Sequence, residues 1–194
     1  MYFDIETRMG PQHLSPDDEQ RGWDMLRNGE GGISALAVYD SETNWCHVYD
    51  DKTIQQAAEH LDRADLLVGY CSSIFDLPCV EGIIGRRLRY REHYDLFTAI
   101  QHANLNAGVR THKGDLTLDA VCRRTLGRGK IDKGSNVFDR IKNGEWAALF
   151  NYCLDDVYLT RELMEYVWEH GGVVNVDKHF LSIDAPKWAA PRRD

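Results

Sequence analysis

Four acidic positions, each set in its own local sequence, constrain this chain more than any other feature. Asp4 and Glu6 alternate with apolar residues near the start, Asp76 follows two large apolar residues, and Asp156 lies in a strongly helical pattern. Carboxylates that converge on one point repel one another and resist desolvation, so a fold tolerates them mainly where a cation lies among them. Hard oxygen ligands of this kind suit Mg²⁺ or Mn²⁺, which usually serve phosphoryl chemistry in enzymes.

The first apolar segment, residues 2–6, predicts a strand with Phe3 and Ile5 on one face and Asp4 and Glu6 on the other. The two carboxylates then project together, about 6.6 Å apart along the backbone, and can hold one cation from one side. An isolated Asp-x-Glu pair is more often a solvated face of an edge strand. Here an unpaired couple of charges beside core-type residues would be costly, so the context favours a metal-binding pair.

The other two acids also have ordinary structural explanations. Asp76 begins a predicted helix, where the helix dipole favours an anion, and simple capping explains it as well as catalysis does. Tyr152 and Asp156 are four residues apart and share a helix face, about one turn apart. They could equally be a half-buried core residue and a surface charge. Asp155 is the competing acid, but it lies about 100° around the helix, and the spacing to Tyr152 favours Asp156.

The order and contexts of these residues resemble the DEDD family of 3′→5′ exonucleases, which have a ribonuclease H-like fold. The tyrosine subtype is indicated because Tyr152 precedes Asp156 by four positions, and Asn151 stands where the histidine subtype has His. The resemblance runs from residue 2 to about residue 171 and includes the segment 118–132. One departure is Cys71, because the family usually has Asn five residues before the second-motif Asp, where it helps to hold the local turn or the substrate.

The resemblance implies a mechanism with two Mg²⁺ or Mn²⁺ ions. One ion is expected to be held by Asp4, Glu6 and Asp156, and to generate hydroxide from a water positioned by Tyr152. The second is expected to be held by Asp4 and, less directly, by Asp76, and to stabilise the leaving 3′ oxygen. Paired ions of this kind lie about 3.5–4 Å apart. The expected product is a nucleoside 5′-monophosphate released from a 3′ end.

The expected substrates are single-stranded DNA or RNA 3′ ends, with DNA slightly favoured by the likeness to proofreading domains. Thr7 matches a family position near the terminal nucleotide, although its hydroxyl could simply bond the backbone at the strand end. Lys130 and Lys133 could contact phosphate, although a Gly-rich, charged loop needs no such explanation. A polymerase, helicase or other replication or repair protein is a candidate partner.

Two other functions fit the same fold class. One is a non-catalytic binding module for nucleic acid or for a replication or repair protein, which Cys71 and the acidic composition favour. The intact acids and Tyr152 count against it, because a scaffold has no need to keep converging charges. The other is an endonuclease of the same fold, which would not require the pairing of Tyr152 with Asp156.

The formal net charge of −8 counts against a nucleic-acid partner, since phosphate binders usually have a basic surface. The predicted acidic site accounts for part of this charge, and bound metal would offset it. Basic residues are also clustered, so local strips could guide a strand. The clusters are Arg86, Arg87, Arg89 and Arg91, then Arg123, Arg124, Arg128, Lys130 and Lys133. The first is more often a solvated helix end than a strand guide, about two to one.

The five cysteines are scattered, with no Cys-x-x-Cys pair, which argues against both a disulfide framework and a zinc site. A reducing, cytoplasmic-type compartment is expected. No apolar run approaches the roughly 20 residues needed to span a bilayer. The first residues lack a basic leader and a signal-peptide core, and strand-forming residues begin at once.

The alternation of strands and helices predicts an α/β fold with a mixed sheet flanked by helices, in which three antiparallel strands precede parallel ones. Residues 1–172 are expected to form the exonuclease domain, with 173–194 as a C-terminal extension. Residues 8–32 are expected to be a long surface loop with one short helix near residues 23–26. Predicted strands are 2–6, 33–39, 45–49, 66–69, 93–96 and 173–176. Predicted helices are 54–63, where Thr53 has capping-box spacing, then 76–86, 118–126 and 146–169.

Overall fold

The structure is a computed structural model that describes residues 1–131 and 137–190. Within these residues, seven strands form two sheets, and eight α-helices surround them. The strands are β1 (Tyr2–Thr7), β2 (Ile33–Asp40), β3 (Trp45–Tyr49), β4 (Leu66–Gly69), β5 (Glu92–Asp95), β6 (Gly172–Val174) and β7 (Phe180–Ser182). The helices are α1 (Pro11–Leu14), α2 (Glu19–Arg27), α3 (Ile54–Leu61), α4 (Asp76–Ile84), α5 (Leu96–Asn106), α6 (Leu118–Leu126), α7 (Val137–Asn143) and α8 (Trp146–His170).

The main sheet has the strand order β3-β2-β1-β4-β5. Strands β1, β2 and β3 pair antiparallel, whereas β4 pairs parallel with both β1 and β5. This arrangement confirms the predicted α/β fold class, with a mixed sheet flanked by helices. It is consistent with the ribonuclease H-like fold that the sequence resemblance implies.

The central strands are buried on both faces, so their side chains contribute to two separate hydrophobic cores. Tyr2, Ala35 and Ala37 face the core beneath α8, α5 and α6. Phe3 and Ile5 face the opposite core, beneath α2, α3 and α4. The alternation along β1 therefore places Asp4 and Glu6 on the same face as α8, the longest helix at 25 residues.

The prediction of a long loop over residues 8–32 is wrong in part. The predicted short helix near residues 23–26 lies within α2, which is longer than predicted, and α1 was not predicted. Asp18 caps α2 by accepting a hydrogen bond from the Arg21 N–H at 3.0 Å. Gly22 allows the close approach, since a Cβ there would lie 2.3 Å from the Pro11 carbonyl oxygen. The polar and glycine-rich composition that indicated a loop instead reflects a helix with a narrow buried face, on which Leu26 is 1% exposed.

The predicted capping box at Thr53 is also wrong. The Thr53 side chain makes no cap hydrogen bond to α3 and pairs instead with the Asp50 side chain and backbone. Helix α4 ends at Ile84, two residues earlier than predicted, because Gly85 adopts a left-handed conformation with φ 68°. The sequence patterns missed α5 and α7, while Thr117 caps α6 as predicted, accepting from the Ala120 N–H.

After α8, Gly171 takes a left-handed conformation, and β6 and β7 form a small antiparallel hairpin. Val173, Leu181 and Ile183 of this segment are buried in the core beneath α8. Residues 191–194, the last part of the predicted extension, lie outside the described residues. Within the described part of the chain, no helix combines the length and the apolar character that a membrane span requires.

Candidate metal centre

Three of the predicted acids meet between β1 and α8. Asp4 and Glu6 project from β1 toward α8, and Asp156 projects from α8 toward the sheet. One carboxylate oxygen from each lies within 4.8 Å of the other two. Residues remote in sequence thus provide a compact oxygen set of the kind that a hard divalent cation binds.

Asp76 lies close to the same strand, just after the end of the neighbouring strand β4. It begins α4, just beyond β4, and its Oδ1 accepts a hydrogen bond from the Ile5 N–H at 3.1 Å. Its side chain is therefore fixed to the backbone between Asp4 and Glu6, although it is not one of the three carboxylates within 4.8 Å. Its residue exposure is only 4%. The four predicted acids therefore surround one short stretch of β1.

Tyr152 and Lys130 face Asp156 from one side. The Lys130 Nζ donates to the Asp156 Oδ2 at 2.5 Å and to the Tyr152 hydroxyl at 3.0 Å. Tyr152 is 6% exposed, so its ring belongs to the core while its hydroxyl reaches the acidic cluster. Asp155, the competing acid, accepts instead from the Ile131 N–H at 3.1 Å. Lys130 thus lies inside the acidic cluster.

Burial and mutual repulsion raise the pKa values of these carboxylates. Loss of hydration, followed by the neighbouring Asp156, raises the pKa of Glu6 to about 8. Burial raises the pKa of Asp76 to about 7, although the Ile5 N–H opposes the shift. The pKa of Asp4 is raised well above its usual value by burial and then by the other acids. Without a cation, the protein disfavours full ionisation of this group.

Lys130 offsets only part of the negative charge. Burial raises the pKa of Asp156, and the Lys130 ammonium acts against that shift. Burial alone would lower the pKa of Lys130, but Asp156 and the neighbouring acids raise it above its usual value, so the side chain stays charged. Burial, together with Asp156, raises the pKa of Tyr152 to about 12, which keeps the phenol protonated near neutral pH.

One oxygen indicates room for a further ligand. The Asp156 Oδ1 is buried and accepts no hydrogen bond from the described residues. A buried carboxylate oxygen without a partner is costly, and a bound cation would remove that cost. The donor set of Asp4, Glu6 and Asp156 therefore fits a divalent metal by its chemistry, its charge and this unused oxygen.

A cavity of about 450 Å³ adjoins the cluster, and Asp4, Asp156 and Lys130 are among the residues that line it. Its apolar lining comes from the residue after β4, from α5 and from the segment that leads into α6, namely Tyr70, Phe97, Leu116 and Leu118. Gln101 and residues 111–114 also line the cavity. Sequence patterns did not predict this cavity, because α5 was not predicted and the lining combines separate segments.

Cys71 also lines this cavity, and its backbone conformation is unusual. Its φ is 66°, in the left-handed region that non-glycine residues rarely adopt. Asn tolerates this region better than most residues. The Asn expected from the family resemblance therefore suits the backbone of this turn, and the chain places Cys there instead.

Two more residues near the cluster had no predicted role. The Cys153 Sγ lies 3.4 Å from the Asp4 carbonyl oxygen, one residue along α8 from Tyr152. Arg140, on α7, places its guanidinium carbon 5.5 Å from the centre of the Tyr152 ring. Arg140 gave no sequence signal because α7 was not predicted, whereas Cys153 could be inferred from its spacing of three residues from Asp156 on the same helix.

The remaining predicted contacts are less central. Thr7 ends β1 after a register shift and is nearly buried at 9% exposure. Arg86 and Arg87 pair with Asp62 and Glu81 and lie away from the cluster, near the opposite end of β5. This agrees with a solvated helix end rather than a strand guide. Lys133 lies outside the described residues.

Comparison with known proteins supports the fold. No protein-family model matches the chain, and no curated protein matches it. Among solved structures, the family B DNA polymerase from the hyperthermophilic archaeon Pyrobaculum calidifontis is similar, with a TM-score of 0.59 and 21% sequence identity. The match covers 86% of this chain but only 24% of the polymerase. At this identity the similarity shows a shared fold and nothing finer.

Proposed function

We propose that the protein is a metal-dependent 3′→5′ exonuclease of the DEDD tyrosine subtype, releasing nucleoside 5′-monophosphates from single-stranded ends. The observation that carries the proposal is the convergence of Asp4, Glu6 and Asp156 within 4.8 Å, with Asp76 bonded to the same strand. A fold rarely buries like charges together without a cation-dependent function.

Asp4, Glu6 and Asp156 would hold one Mg²⁺ or Mn²⁺ ion, and Asp4 with Asp76 would hold the second. Bound divalent ions supply Lewis-acid activation of the attacking water and of the leaving oxygen. The Tyr152 hydroxyl, which reaches the cluster from α8, orients the attacking water. Its pKa of about 12 suits a hydrogen-bonding role rather than a role as a base.

Lys130 and the adjoining cavity would bind the strand. The Lys130 ammonium lies where the acidic cluster meets the cavity, so it can contact a phosphate of the strand end without leaving the site. The apolar wall suits the face of an unpaired base. Thr7, at the end of β1, is proposed to lie near the terminal nucleotide.

Single-stranded DNA is slightly favoured over RNA as the substrate, and a polymerase, helicase or other replication or repair protein is a candidate partner. The similarity to a DNA polymerase in fold agrees with this context. We also propose residues 1–172 as the exonuclease domain and 173–194 as a C-terminal extension that packs on this domain or trails from it. Five free thiols support a reducing, cytoplasmic-type compartment.

The test is digestion of a 5′-labelled single-stranded oligonucleotide with Mg²⁺ or Mn²⁺. A ladder of shortened products, with nucleoside 5′-monophosphates released, is expected for the wild type. Asp4→Ala should be inactive. Glu59→Gln, which removes one exposed negative charge on α3, is the matched control and should retain wild-type activity.

Two outcomes favour the other functions. Cleavage of a circular single strand would indicate an endonuclease, because an exonuclease leaves a circle intact. Equal inactivity of the wild type and Asp4→Ala with every metal and substrate would overturn the proposal. Strand binding by both proteins would then indicate a non-catalytic nucleic-acid binding module.

A further inference from the structure

The turn that carries Asp76 is held by a carboxylate from the neighbouring strand. Asp95 is the last residue of β5 and is 8% exposed. Its Oδ1 accepts from the Cys71 N–H at 2.9 Å, and its Oδ2 accepts from the Ser73 N–H at 2.9 Å. The Ser73 hydroxyl also donates to Oδ2 at 2.5 Å. Both oxygens of one side chain thus bind a single turn of three residues.

This turn needs such support. Cys71 is held at φ 66°, in a left-handed conformation that is unfavourable for a non-glycine residue. The turn also packs closely on the end of β4, since a Cβ on Gly69 would lie 2.3 Å from the Ser72 Oγ. Its hydrogen bonds to Asp95 compensate for the unfavourable backbone conformation.

The turn is linked directly to the acidic cluster. The Leu77 N–H donates to the Ser72 carbonyl oxygen at 3.0 Å, which joins the turn to the first turn of α4. Asp76, the first residue of α4, accepts a hydrogen bond from the Ile5 N–H of β1. A shift of the turn would therefore displace the Asp76 carboxylate relative to Asp4.

We propose that Asp95 is a positioning residue, which fixes residues 71–73 and thereby places the Asp76 carboxylate for the second metal ion. This inference rests on the proposed exonuclease function. Sequence patterns do not indicate this role for Asp95, because its contacts join the ends of two strands that α4 separates along the chain.

Asp95 also caps α5, with its Oδ1 3.4 Å from the Thr98 nitrogen, so a merely structural role is the competing explanation. A structural role predicts loss of stability and no change in metal requirement. A positioning role predicts a change in metal requirement that involves Asp76. Metal dependence therefore separates the two.

The experiment measures kcat, KM for the strand and the Mn²⁺ concentration for half-maximal cleavage in the full chain. Asp95→Ala is expected to lower kcat and to raise the Mn²⁺ requirement, each by about tenfold, since small misplacements of catalytic groups are costly. KM should change less. Asp95→Asn should have a smaller effect, because one oxygen can still accept. Ser73→Ala, which removes one hydroxyl donor to Asp95, should have the smallest effect. This variant tests the same turn if the Asp95 variants do not fold.

A double-mutant cycle links Asp95 to Asp76. In an Asp76→Asn background, Asp95→Ala should cause little further loss, because both changes affect the same ion site. Calorimetry should measure the binding of Mn²⁺ to the protein in the absence of a strand. In Asp95→Ala, only the weaker of the two ion sites should lose affinity. Asp62→Ala is the matched control, since Asp62 also accepts a backbone N–H, from Arg89 at 2.7 Å, but lies away from the cluster.

The outcomes distinguish the two proposals. If the wild type cleaves strands but Asp95→Ala keeps the wild-type Mn²⁺ requirement, or if the double variant shows additive losses, the positioning role is overturned and the exonuclease proposal stands. If the wild type neither cleaves strands nor binds Mn²⁺, both proposals fail together.

Discussion

Carboxylate pKa values are shifted in opposite directions in the acidic cluster and in the basic strip, which is formed by Arg86, Arg87, Arg89 and Arg91. In the basic strip, Asp62 binds the Arg86 guanidinium through both oxygens, at 2.7 and 3.1 Å. Burial alone would raise the pKa of Asp62, yet Arg86 and the Arg89 N–H lower it below its usual value. In the acidic cluster the carboxylate pKa values are raised.

The difference shows which charges serve the fold and which do not. A carboxylate paired with a guanidinium is ionised at little cost, so the basic strip needs no ligand. Carboxylates gathered around one ammonium are ionised at a cost that the fold alone does not recover. The acidic cluster is therefore the region where a divalent cation would matter.

The largest expected effect comes from Asp156→Ala. Losing a metal ligand should lower turnover by about 10³-fold or more, since the Lewis-acid contribution is worth several kcal/mol. The metal-free variant should melt no lower than the wild type, because repulsion is relieved while Asp4 and Glu6 still face Lys130. Single-turnover cleavage and thermal melts measure the two effects. Normal cleavage by this variant would contradict the role of Asp156 as a metal ligand.

Metal should stabilise the folded protein next most strongly. At a free concentration one hundred times its Kd, Mg²⁺ or Mn²⁺ should add about 2.7 kcal/mol of stability. Melting in EDTA and in added metal measures the shift. Asp62→Ala should respond to metal like the wild type, whereas Asp156→Ala should respond little. Equal responses in all three proteins would separate the acidic cluster from metal binding.

The two regions should also respond oppositely to pH. Glu6 and Asp76 have raised pKa values of about 8 and 7, against unfolded values of about 4.3 and 3.9. The stability of the metal-free protein should therefore fall as pH rises from about 4 to about 8. The pKa of Asp62 is lowered, so its contribution should be lost only as pH falls below about 4. Comparing wild-type melts with those of Asp62→Ala across pH distinguishes the two contributions.

A smaller effect is expected from Tyr152→Phe. Removing one hydrogen bond to a positioned water should lower kcat by about tenfold, while strand affinity stays close to the wild-type value. The ring remains, so its packing in the core is preserved. Parallel measurements of kcat and of strand binding test this. Unchanged turnover would contradict the water-orienting role.

The smallest expected effect is that of Asp62→Ala. It removes the ion pair with Arg86 and the acceptor for the Arg89 backbone N–H, and should destabilise the protein by about 1 kcal/mol. Nuclease turnover should not change, because Asp62 lies away from the cluster. Denaturant unfolding and the cleavage assay, done on the same preparation, check both. A loss of turnover at constant folded fraction would extend the site to this region.

Local sequence patterns were sufficient to predict features that lie within a single strand or helix. The alternation along β1 predicted which face holds Asp4 and Glu6, and the four-residue spacing on α8 predicted that Tyr152 and Asp156 share a face. Patterns failed where composition was ambiguous. The polar segment over residues 8–32 indicated a loop, although its two helices are fixed by packing on neighbouring elements.

The fold class and most of the elements were predictable from the sequence, as was the order of the candidate acids, because periodicity and motif order are local properties of the chain. Packing of the elements brings three of those acids within 4.8 Å of one another, places Lys130 among them and lets Asp95 hold the turn before Asp76. These contacts join segments far apart in sequence, and their distances depend on how the strands and helices pack. Spacing along the chain cannot specify them.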